Sequence, residues 1–301
     1  MKKDLVSIKD LSNKDVADIF ELTAKLKKNK AKFTKVLSGK TLALVFQKPS
    51  NRTRVSFEVG MYQLGGNSFY LAPHEVSIGV RESVQDVAKT LSRYVDGIVL
   101  RTFEHKNILE MADASRVPVI NGLSDFSHPC QGLADVYTIK EKFKKIKGVT
   151  LAYVGDGNNV CTSLVFAAAR TGLHLNIASP CGYEPKKEVL DQAKKVGGSI
   201  RVTSDAALAV KGADVVYTDV WASMGKEDQA QERKKIFKPY QLNSSLLRSA
   251  KKGCLVMHCL PAHRGQEITD EVIDGKNSIV FDQAENRMHV QKAILIKLLN
   301  R

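Results

Sequence analysis

The sequence has no long apolar run, and this absence argues against a membrane protein. No stretch of its 301 residues approaches the roughly 20 consecutive apolar residues that a membrane-spanning helix requires. The opening residues, MKKDLVSIKDL, lack the apolar core of a secretory signal, because Asp4 and Asp10 interrupt it. With 43% hydrophobic and 26% charged residues the composition is that of an ordinary globular protein, and we expect a cytoplasmic location.

Cysteine is scarce and widely spaced. The cysteines are Cys130, Cys161, Cys181, Cys254 and Cys259. Their number is odd and no CxxC occurs, so neither a disulfide framework nor a structural zinc site is expected. We predict no bound metal and no cofactor.

Two nucleotide-binding patterns are missing or incomplete. The chain has no GxxxxGK[ST], which argues against a P-loop nucleoside triphosphatase. The segment GDGNNV has Gly155 and Gly157 after a predicted strand, but Val160 stands where a dinucleotide-binding loop has its third glycine. The next strand, LNIASP, also ends without an acidic residue, so a dinucleotide site is disfavoured.

Positively charged residues outnumber negatively charged ones. The formal net charge is +14, and much of it lies in the segments Lys25–Lys35 and Lys140–Lys147. Both segments are typical of solvated helix faces, and no nucleic-acid-binding motif accompanies them, so we predict no nucleic-acid partner. A positive field would also attract small anions toward a cleft.

Short apolar runs alternate with stretches of helical periodicity along the whole chain, which indicates βαβ units on parallel sheets. The predicted strands are 41–47, 68–72, 97–102, 117–121, 150–156, 175–179, 200–204, 214–220, 254–260 and 278–282. The predicted helices include one around 16–26 opened by a Ser12–Asp15 capping box, stretches spaced by Phe57, Met61 and Leu64 and by Val84, Ala88 and Leu91, one from 131 to about 145, and one at 284–301.

We therefore predict an α/β protein with two doubly wound parallel-sheet domains and the active site in the cleft between them. The predicted first domain is 1–145, joined by a C-terminal helix, 285–301, that packs back on it; the second is 146–284. Ligands of open parallel sheets gather at the carboxyl ends of strands. Polar clusters follow the predicted strands repeatedly, at 50–54, 101, 128–131, 156–159, 219–224 and 259–262.

The segment SNRTR, 50–54, has the composition of an oxyanion site. A helix beginning near Thr53 presents unpaired N–H groups and the positive end of its dipole. Ser50 and Thr53 add hydroxyl donors, and Arg52 adds a planar charged fork suited to phosphate. Phosphate is the expected occupant.

Four motifs resemble those of the aspartate/ornithine carbamoyltransferase family. SNRTR resembles its S-T-R-T-R motif, and HPCQ, 128–131, resembles its H-P-x-Q motif. DVWASMG, 219–225, and HCLPA, 258–262, resemble the D-x-x-x-S-M-G and H-C-L-P motifs of its ornithine-specific members. The resemblance implies transfer of a carbamoyl group from carbamoyl phosphate to the δ-amine of L-ornithine, and a homo-oligomer built from trimers.

The resemblance also implies which residues bind carbamoyl phosphate. Arg101 and His128 are suited to polarise its carbonyl oxygen, where negative charge develops in the transition state, and Gln131 to take its NH2 group. The implied set is Ser50, Asn51, Arg52, Thr53, Arg101, His128, Gln131, Cys259, Leu260 and Arg287.

The attacking amine sets a further requirement. Deprotonating a δ-ammonium of pKa ~10.4 at pH 7 costs about 4–5 kcal/mol, so the site must desolvate it or offer a proton acceptor. Cys259 and Asp219 are the candidates, and they join Arg101 and His128 as predicted catalytic residues. We expect the positive charge of the phosphate site to make Cys259 more acidic.

The α-amino acid group of ornithine needs partners of both charges. The resemblance implies Asn159, Asp219, Ser223 and the backbone of Met224, and Asn158 could share the role. SMG and the polar KEDQAQERKK after it resemble a substrate loop whose closure would exclude water.

Several alternatives stay open. Within the family, the acceptor could be aspartate, putrescine, or an acylated or succinylated ornithine, although Asp219 with SMG favours a free α-amino acid group. Outside it, a zinc site of His258, Cys259 and His263 and a nucleic-acid-binding module remain.

Two residues depart from the family pattern. Asn51 replaces the usual threonine of S-T-R-T-R and still donates hydrogen bonds. Ser77 stands where the family carries a glutamine that reaches a neighbouring subunit's site, so a site shared between subunits is less secure.

Overall fold

The computed structural model describes residues 1–222 and 229–300. The chain forms two compact units, one of Met1–Ala134 with Glu285–Arg301 and one of Asp135–Ala284. Within the described ranges, no helix has both the length and the apolar character needed to cross a bilayer.

Every strand of both sheets is parallel to its neighbours. The strands are β1 Thr41–Phe46, β2 Asn67–Leu71, β3 Gly97–Arg101, β4 Val119–Leu123, β5 Thr150–Val154, β6 His174–Ala178, β7 Ser199–Thr203, β8 Val215–Thr218 and β9 Leu255–His258. The first unit has the sheet order β2-β1-β3-β4 and the second β7-β6-β5-β8-β9. The prediction of two parallel-sheet α/β domains is confirmed.

Helices follow most of the strands. They are α1 Asn13–Lys28, α2 Asn51–Gln63, α3 Pro73–Val76, α4 Val84–Leu91, α5 His105–Ala114, α6 Pro129–Phe143, α7 Asn159–Thr171, α8 Lys187–Lys195, α9 Ala206–Val210, α10 Ala230–Phe237, α11 Ser244–Leu247, α12 Asp270–Ile273 and α13 Val280–Leu299. The predicted capping box is present, since Ser12 accepts the Asp15 N–H and Asp15 accepts the Ser12 N–H.

In the first unit, β1 and β3 form the centre of the sheet. β1, TLALVF, is buried on both faces, as expected for a parallel strand covered by helices. The end of α13 packs on this unit, as predicted. Leu299 lies so close over Gly97 that a Cβ there would be 2.8 Å from the Leu299 Cδ2 atom. Lys297 binds Asp18 of α1 at 2.8 Å.

In the second unit, β5 lies between β6 and β8, and β9 follows β8. The register aligns Val154 with Thr218, and Thr218 with His258. The loops that leave β5, β8 and β9 therefore start side by side at one edge of the sheet.

The predicted strand at 278–282 is wrong. Ser278 makes only an isolated bridge with Val256, and α13 begins at Val280. Ile279, Val280 and Gln283 are buried while Phe281 is exposed, which is a helical spacing and not the alternation of a strand. A short apolar run does not distinguish the two by itself.

Candidate active site

The SNRTR segment forms the first turn of α2, directly after β1. Ser50 has extended backbone angles and is the N-cap, and its Oγ accepts the Thr53 N–H at 3.3 Å. The Thr53 N–H is therefore engaged by the cap, whereas the Ser50 hydroxyl hydrogen and the Asn51 N–H are donors at the start of the helix. A helix N-terminus with these donors is an anion-binding site.

The two arginines of SNRTR have different environments. Arg54 is exposed: its Nε is 3.0 Å from Glu58 Oε1 and its guanidinium lies 4.0 Å from the centre of the Tyr70 ring. Arg52 is half-buried, and its charge acts on Arg101. Arg52 is thus the arginine of this turn that belongs to the candidate site.

Arg101 adds a buried positive charge at the carboxyl end of β3. Only 4% of the residue is exposed, and burial together with Arg287 and Arg52 lowers its pKa to about 10. The guanidinium is still charged at neutral pH. Three arginines whose charges repel one another favour a bound anion, which would neutralise them.

Arg287 brings the C-terminal helix into the same cluster. It donates to Gln131 Oε1 and, at 3.2 Å, to Thr53 Oγ1. These bonds join α13 to the first turns of α6 and α2. The Thr53 hydroxyl accepts from Arg287, so its own hydrogen is left to donate.

His128 lies just before α6 and is buried. Burial, followed by the charges of Arg287, Arg101 and Arg52, holds its pKa well below the usual range. The ring is therefore neutral at pH 7 and has a single N–H donor. A neutral imidazole can still hydrogen-bond to a carbonyl oxygen that gains negative charge.

Asp219 is the centre of a second cluster, in the other unit. Its Oδ1 accepts from the Cys259 thiol at 2.9 Å and from the Val220 N–H at 2.8 Å. Its Oδ2 accepts from Asn158 Nδ2 at 2.8 Å. These residues follow β5, β8 and β9, whose ends are adjacent, which explains how three distant motifs meet.

Asn158 has a defined amide orientation. It is the N-cap of α7, and its Oδ1 accepts the N–H groups of Val160 and Cys161 at 2.9 and 3.1 Å. Because the oxygen accepts hydrogen bonds from the first N–H groups of α7, the NH2 group is the one that faces Asp219. Asn159 begins α7 beside it and is half-buried.

The expectation that Cys259 is unusually acidic is wrong in direction. The residue keeps part of its surface exposed, but desolvation of the sulfur and the Asp219 carboxylate raise its pKa well above the ordinary value. Cys259 is consequently a neutral thiol at pH 7 and donates its hydrogen to Asp219.

The turn after Cys259 is held by a buried pair that the sequence did not reveal. His258 Nε2 is 3.1 Å from Glu267 Oε1, and both side chains are fully buried. The same carboxylate oxygen accepts the His263 N–H, while His258 Nδ1 accepts the Leu260 N–H at 2.8 Å. Leu260 has a left-handed backbone, φ 56°, which is uncommon for a non-glycine residue and is stabilised here by these contacts.

Asp219, His258 and Cys259 are also close enough to be considered as metal ligands. One ligand atom of each lies within 4.8 Å of the others. Both His258 nitrogens are already engaged by Leu260 and Glu267, and the cysteine hydrogen is directed at Asp219. This arrangement suits proton transfer between Cys259 and Asp219 better than metal binding. The exposed His263, the third ligand of the zinc alternative, does not belong to it.

Two domains of one known protein family match this chain. The carbamoyl-P binding domain of the aspartate/ornithine carbamoyltransferase family matches residues 3–141, and the Asp/Orn binding domain of the same family matches residues 147–298. The chain belongs to the aspartate/ornithine carbamoyltransferase family.

Three similar members of this family come from archaea. Ornithine carbamoyltransferase from Pyrococcus horikoshii is 53% identical over 304 residues, covering 99% of this chain and 96% of that protein. The protein of the same name from Thermococcus kodakarensis is 52% identical over 300 residues, with 97% and 95% coverage. The structure of ornithine carbamoyltransferase from Pyrococcus furiosus superposes with a TM-score of 0.94 at 50% identity, covering 98% of this chain and 96% of that one.

The family motifs divide between the two units. The first unit contains most of the residues predicted to bind carbamoyl phosphate, namely Ser50, Asn51, Arg52, Thr53, Arg101, His128, Gln131 and Arg287. Cys259 and Leu260 of that set are in the second unit, with Asn159 and Asp219 of the ornithine set. Ser223 and Met224 lie outside the described residues.

Glu267, a residue of the carbamoyltransferase chain that sequence reasoning missed, follows the HCLPA motif. In the sequence it is one of several charged residues in HRGQEITDE, which follows the motif and has the composition of an ordinary surface segment. Its complete burial and its contact with His258 depend on the folded turn.

Proposed function

We propose that this chain transfers the carbamoyl group of carbamoyl phosphate to the δ-amine of L-ornithine, giving L-citrulline and phosphate. The observation that carries the proposal is identity above 50% over nearly the whole chain to proteins named ornithine carbamoyltransferase. The two clusters support it with chemistry suited to each substrate.

Carbamoyl phosphate is assigned to the arginine-rich cluster. The first turn of α2 donates N–H and hydroxyl groups to the phosphate, and Arg52 supplies a charge-assisted contact. Arg101, charged and buried, and His128, neutral, hydrogen-bond to the carbonyl oxygen. These donors stabilise the oxyanion of the tetrahedral transition state and then the leaving phosphate.

Gln131 and Arg287 have a linked role in this proposal. Gln131 Oε1 is suited to accept from the carbamoyl NH2, and it already accepts from Arg287. An amide oxygen has two lone pairs, so both contacts can coexist. Arg287 thereby orients Gln131 as well as contributing positive charge.

Ornithine is assigned to the Asp219 cluster. In the reaction the δ-ammonium first gives up one proton, and its neutral nitrogen forms a bond to the carbonyl carbon. The bond from that carbon to the phosphate oxygen then breaks, and the second proton of the nitrogen passes to the leaving phosphate. The neutral thiol of Cys259 is a hydrogen donor, so Asp219 is the better proton acceptor of the two. Asn158 and Asn159 supply amide groups for the α-amino acid group, together with Ser223 and Met224.

We also propose, from the family resemblance, that the chain acts in the cytoplasm and as a homo-oligomer, a trimer or an assembly of trimers. The mass measured by light scattering after size-exclusion chromatography tests the assembly. The chain's own mass is 33.2 kDa, so a trimer is distinct from a monomer or dimer.

A substrate panel tests the function. Purified protein and carbamoyl phosphate are incubated with L-ornithine, acetylornithine, succinylornithine, putrescine or L-aspartate, and phosphate release and the ureido product are measured. The proposal expects the highest kcat/KM with ornithine. A higher value with putrescine or an acylated ornithine would reassign the acceptor, and product with none of the five would contradict carbamoyl transfer.

A further inference from the structure

Arg233, a buried arginine of α10, contacts two loops of the second unit. It is 4% exposed, and its Nη1 lies 2.8 Å from Asp156 Oδ2 and 2.8 Å from the Trp221 carbonyl oxygen. Its Nε donates to Gln229 Oε1 at 3.2 Å. The guanidinium carbon is 4.9 Å from the centre of the Tyr183 ring.

The two loops that Arg233 joins follow neighbouring strands. Asp156 lies just beyond β5 and Trp221 just beyond β8, and β5 pairs with β8 in parallel. Asn158 and Asp219 are on these same loops and bind each other at 2.8 Å. The Arg233 contacts and the Asn158–Asp219 contact therefore connect one pair of loops at two points.

The loop after β5 is also closely packed on its other side. A Cβ on Gly157 would lie 2.3 Å from the Pro185 nitrogen and 2.4 Å from the Glu184 carbonyl carbon, so only glycine fits there. Arg233 thus binds Asp156 next to a glycine that packs directly on the 184–185 backbone. Trp221, by contrast, is anchored through its carbonyl and through a ring stacked on Phe237 at 6.1 Å.

We propose that Arg233 is a positioning residue for the amino-acid substrate. Through Asp156 and the Trp221 carbonyl, it sets the spacing of the loops that carry Asn158 and Asp219, and so the position of the Asp219 carboxylate. The assignment of Asp219 to ornithine rests on the proposed function. A buried pair that loses one partner leaves an uncompensated charge, so replacing Arg233 disturbs both loops.

The alternative is that the Arg233–Asp156 pair only stabilises the second unit. Two readouts separate the roles. A purely stabilising pair would change the melting temperature but leave the KM values of the folded enzyme alone. In addition, Trp221 is the single tryptophan of the chain, so its fluorescence reports on the loop that Arg233 anchors.

The experiment compares Arg233→Gln and Arg233→Lys with the matched control Arg264→Gln. Arg264 lies in the same unit but in exposed ion pairs with Asp270 and Asp274, neither of which belongs to the two loops. Steady-state KM is measured separately for ornithine and for carbamoyl phosphate, with circular dichroism to verify folding. Emission of Trp221 is recorded on the same samples.

Arg233→Gln should raise the KM for ornithine about tenfold or more, the effect of weakening one hydrogen bond to a charged group. The KM for carbamoyl phosphate should stay within about twofold, which is ordinary variation for a site not involved. The Trp221 emission should shift to longer wavelength. Arg264→Gln should change none of the three.

Combination with Asp219→Asn tests whether Arg233 acts through Asp219. If it does, the two effects on the ornithine KM overlap, and the double variant is less impaired than the product of the single effects. Independent effects would multiply. A multiplicative result would therefore overturn the proposed route.

A folded Arg233→Gln protein with an unchanged ornithine KM would overturn the proposal, whether or not the emission shifts. Should that variant fail to fold, Arg233→Lys decides, because it keeps a charge beside Asp156 but not the planar fork. An unmodified protein that is inactive with ornithine would instead contradict the proposed function. If the unmodified protein is active with ornithine but Arg233→Gln leaves the ornithine KM unchanged, this inference is contradicted and the proposed function is not.

Discussion

Replacing Asp219 with asparagine tests the second cluster directly. The carboxylate has acceptor oxygens on both sides: Oδ1 faces Cys259 and Val220, and Oδ2 faces Asn158. Asparagine has one oxygen and one NH2 group. With the NH2 group toward Asn158 one hydrogen bond is lost, and with it toward Cys259 and Val220 two are lost, so the first orientation is preferred.

The size of the effect follows from the charge that is removed. In Asp219→Asn the remaining oxygen is uncharged and shared, so the substrate ammonium loses a hydrogen bond to an ionised acceptor. Such a bond contributes about 1.5–3 kcal/mol. At ~1.36 kcal/mol per factor of ten, kcat/KM for ornithine should fall by about 13- to 160-fold.

Steady-state kinetics with ornithine as the varied substrate measures this loss. The KM for carbamoyl phosphate should change far less, because most of its predicted ligands lie in the other unit. Asp205→Asn is the matched control: Asp205 is an exposed N-cap of α9, and asparagine caps a helix equally well. It should retain normal kinetics.

A second assay on the same variant follows the Cys259 thiol. The Asp219 charge raises the pKa of Cys259, so removing that charge lowers it and should speed alkylation by iodoacetamide at pH 8. A Cys181→Ala background removes the exposed cysteine. Unchanged kcat/KM for ornithine together with unchanged alkylation would refute the assigned role of Asp219.

Further predictions concern the phosphate cluster and the turn beyond β9. Arg52→Ala should raise the KM for carbamoyl phosphate by at least about tenfold by removing a charge-assisted contact, whereas the same change at the exposed Arg54 should not; equal effects would contradict the assignment. Cys259→Ser should slow turnover with ornithine, and unchanged kcat and KM would remove its role. Burial keeps the His128 pKa below 6.5, so the protein binds a proton there only when unfolded; its stability should fall as the pH drops below 6.5, and His128→Gln should weaken that dependence in urea unfolding series. Glu267→Gln should destabilise the protein by about 1–3 kcal/mol in the same assay, because the buried acceptor loses its charge; an unchanged midpoint would argue against the pairing.

Local patterns predicted most of the fold. β1 is a continuous apolar run and α1 opens with a complete capping box, so both follow from neighbouring residues alone. The strand predicted at 278–282 was wrong because a run of three apolar residues, 279–281, suits a strand or a helix equally. That this segment begins α13 is decided by the residues that pack against it in the folded chain.

The candidate site was predictable where the motif itself carries the chemistry. SNRTR lies at a helix N-terminus because Ser50 is a good N-cap, and the motif shows that much. The pair of Arg54 with Glu58 is an i,i+4 pair within α2 and is visible in the sequence, whereas the contact of Arg54 with Tyr70 depends on where β2 lies. The environment of Arg54 therefore has one local and one tertiary cause.

The acidity of Cys259 was mispredicted for the same reason. Positive charge is abundant in the sequence, but the charge that reaches the sulfur is that of Asp219, forty positions away. The Arg233–Asp156 pair spans a still greater separation. Local composition therefore predicts neither the partner of Cys259 nor the partner of Arg233.

The path of α13 has a consequence for how the protein is made. A ribosome synthesises the chain from the N-terminal side, and the first unit remains without its last helix until residues beyond Glu285 emerge. Leu299, which covers Gly97, and Arg287, which binds Thr53 and Gln131, are translated only after the whole of the second unit. Newborn chains therefore contain all of the second unit before all of the first, and a stop codon at or before position 287 would leave a phosphate site that lacks Arg287.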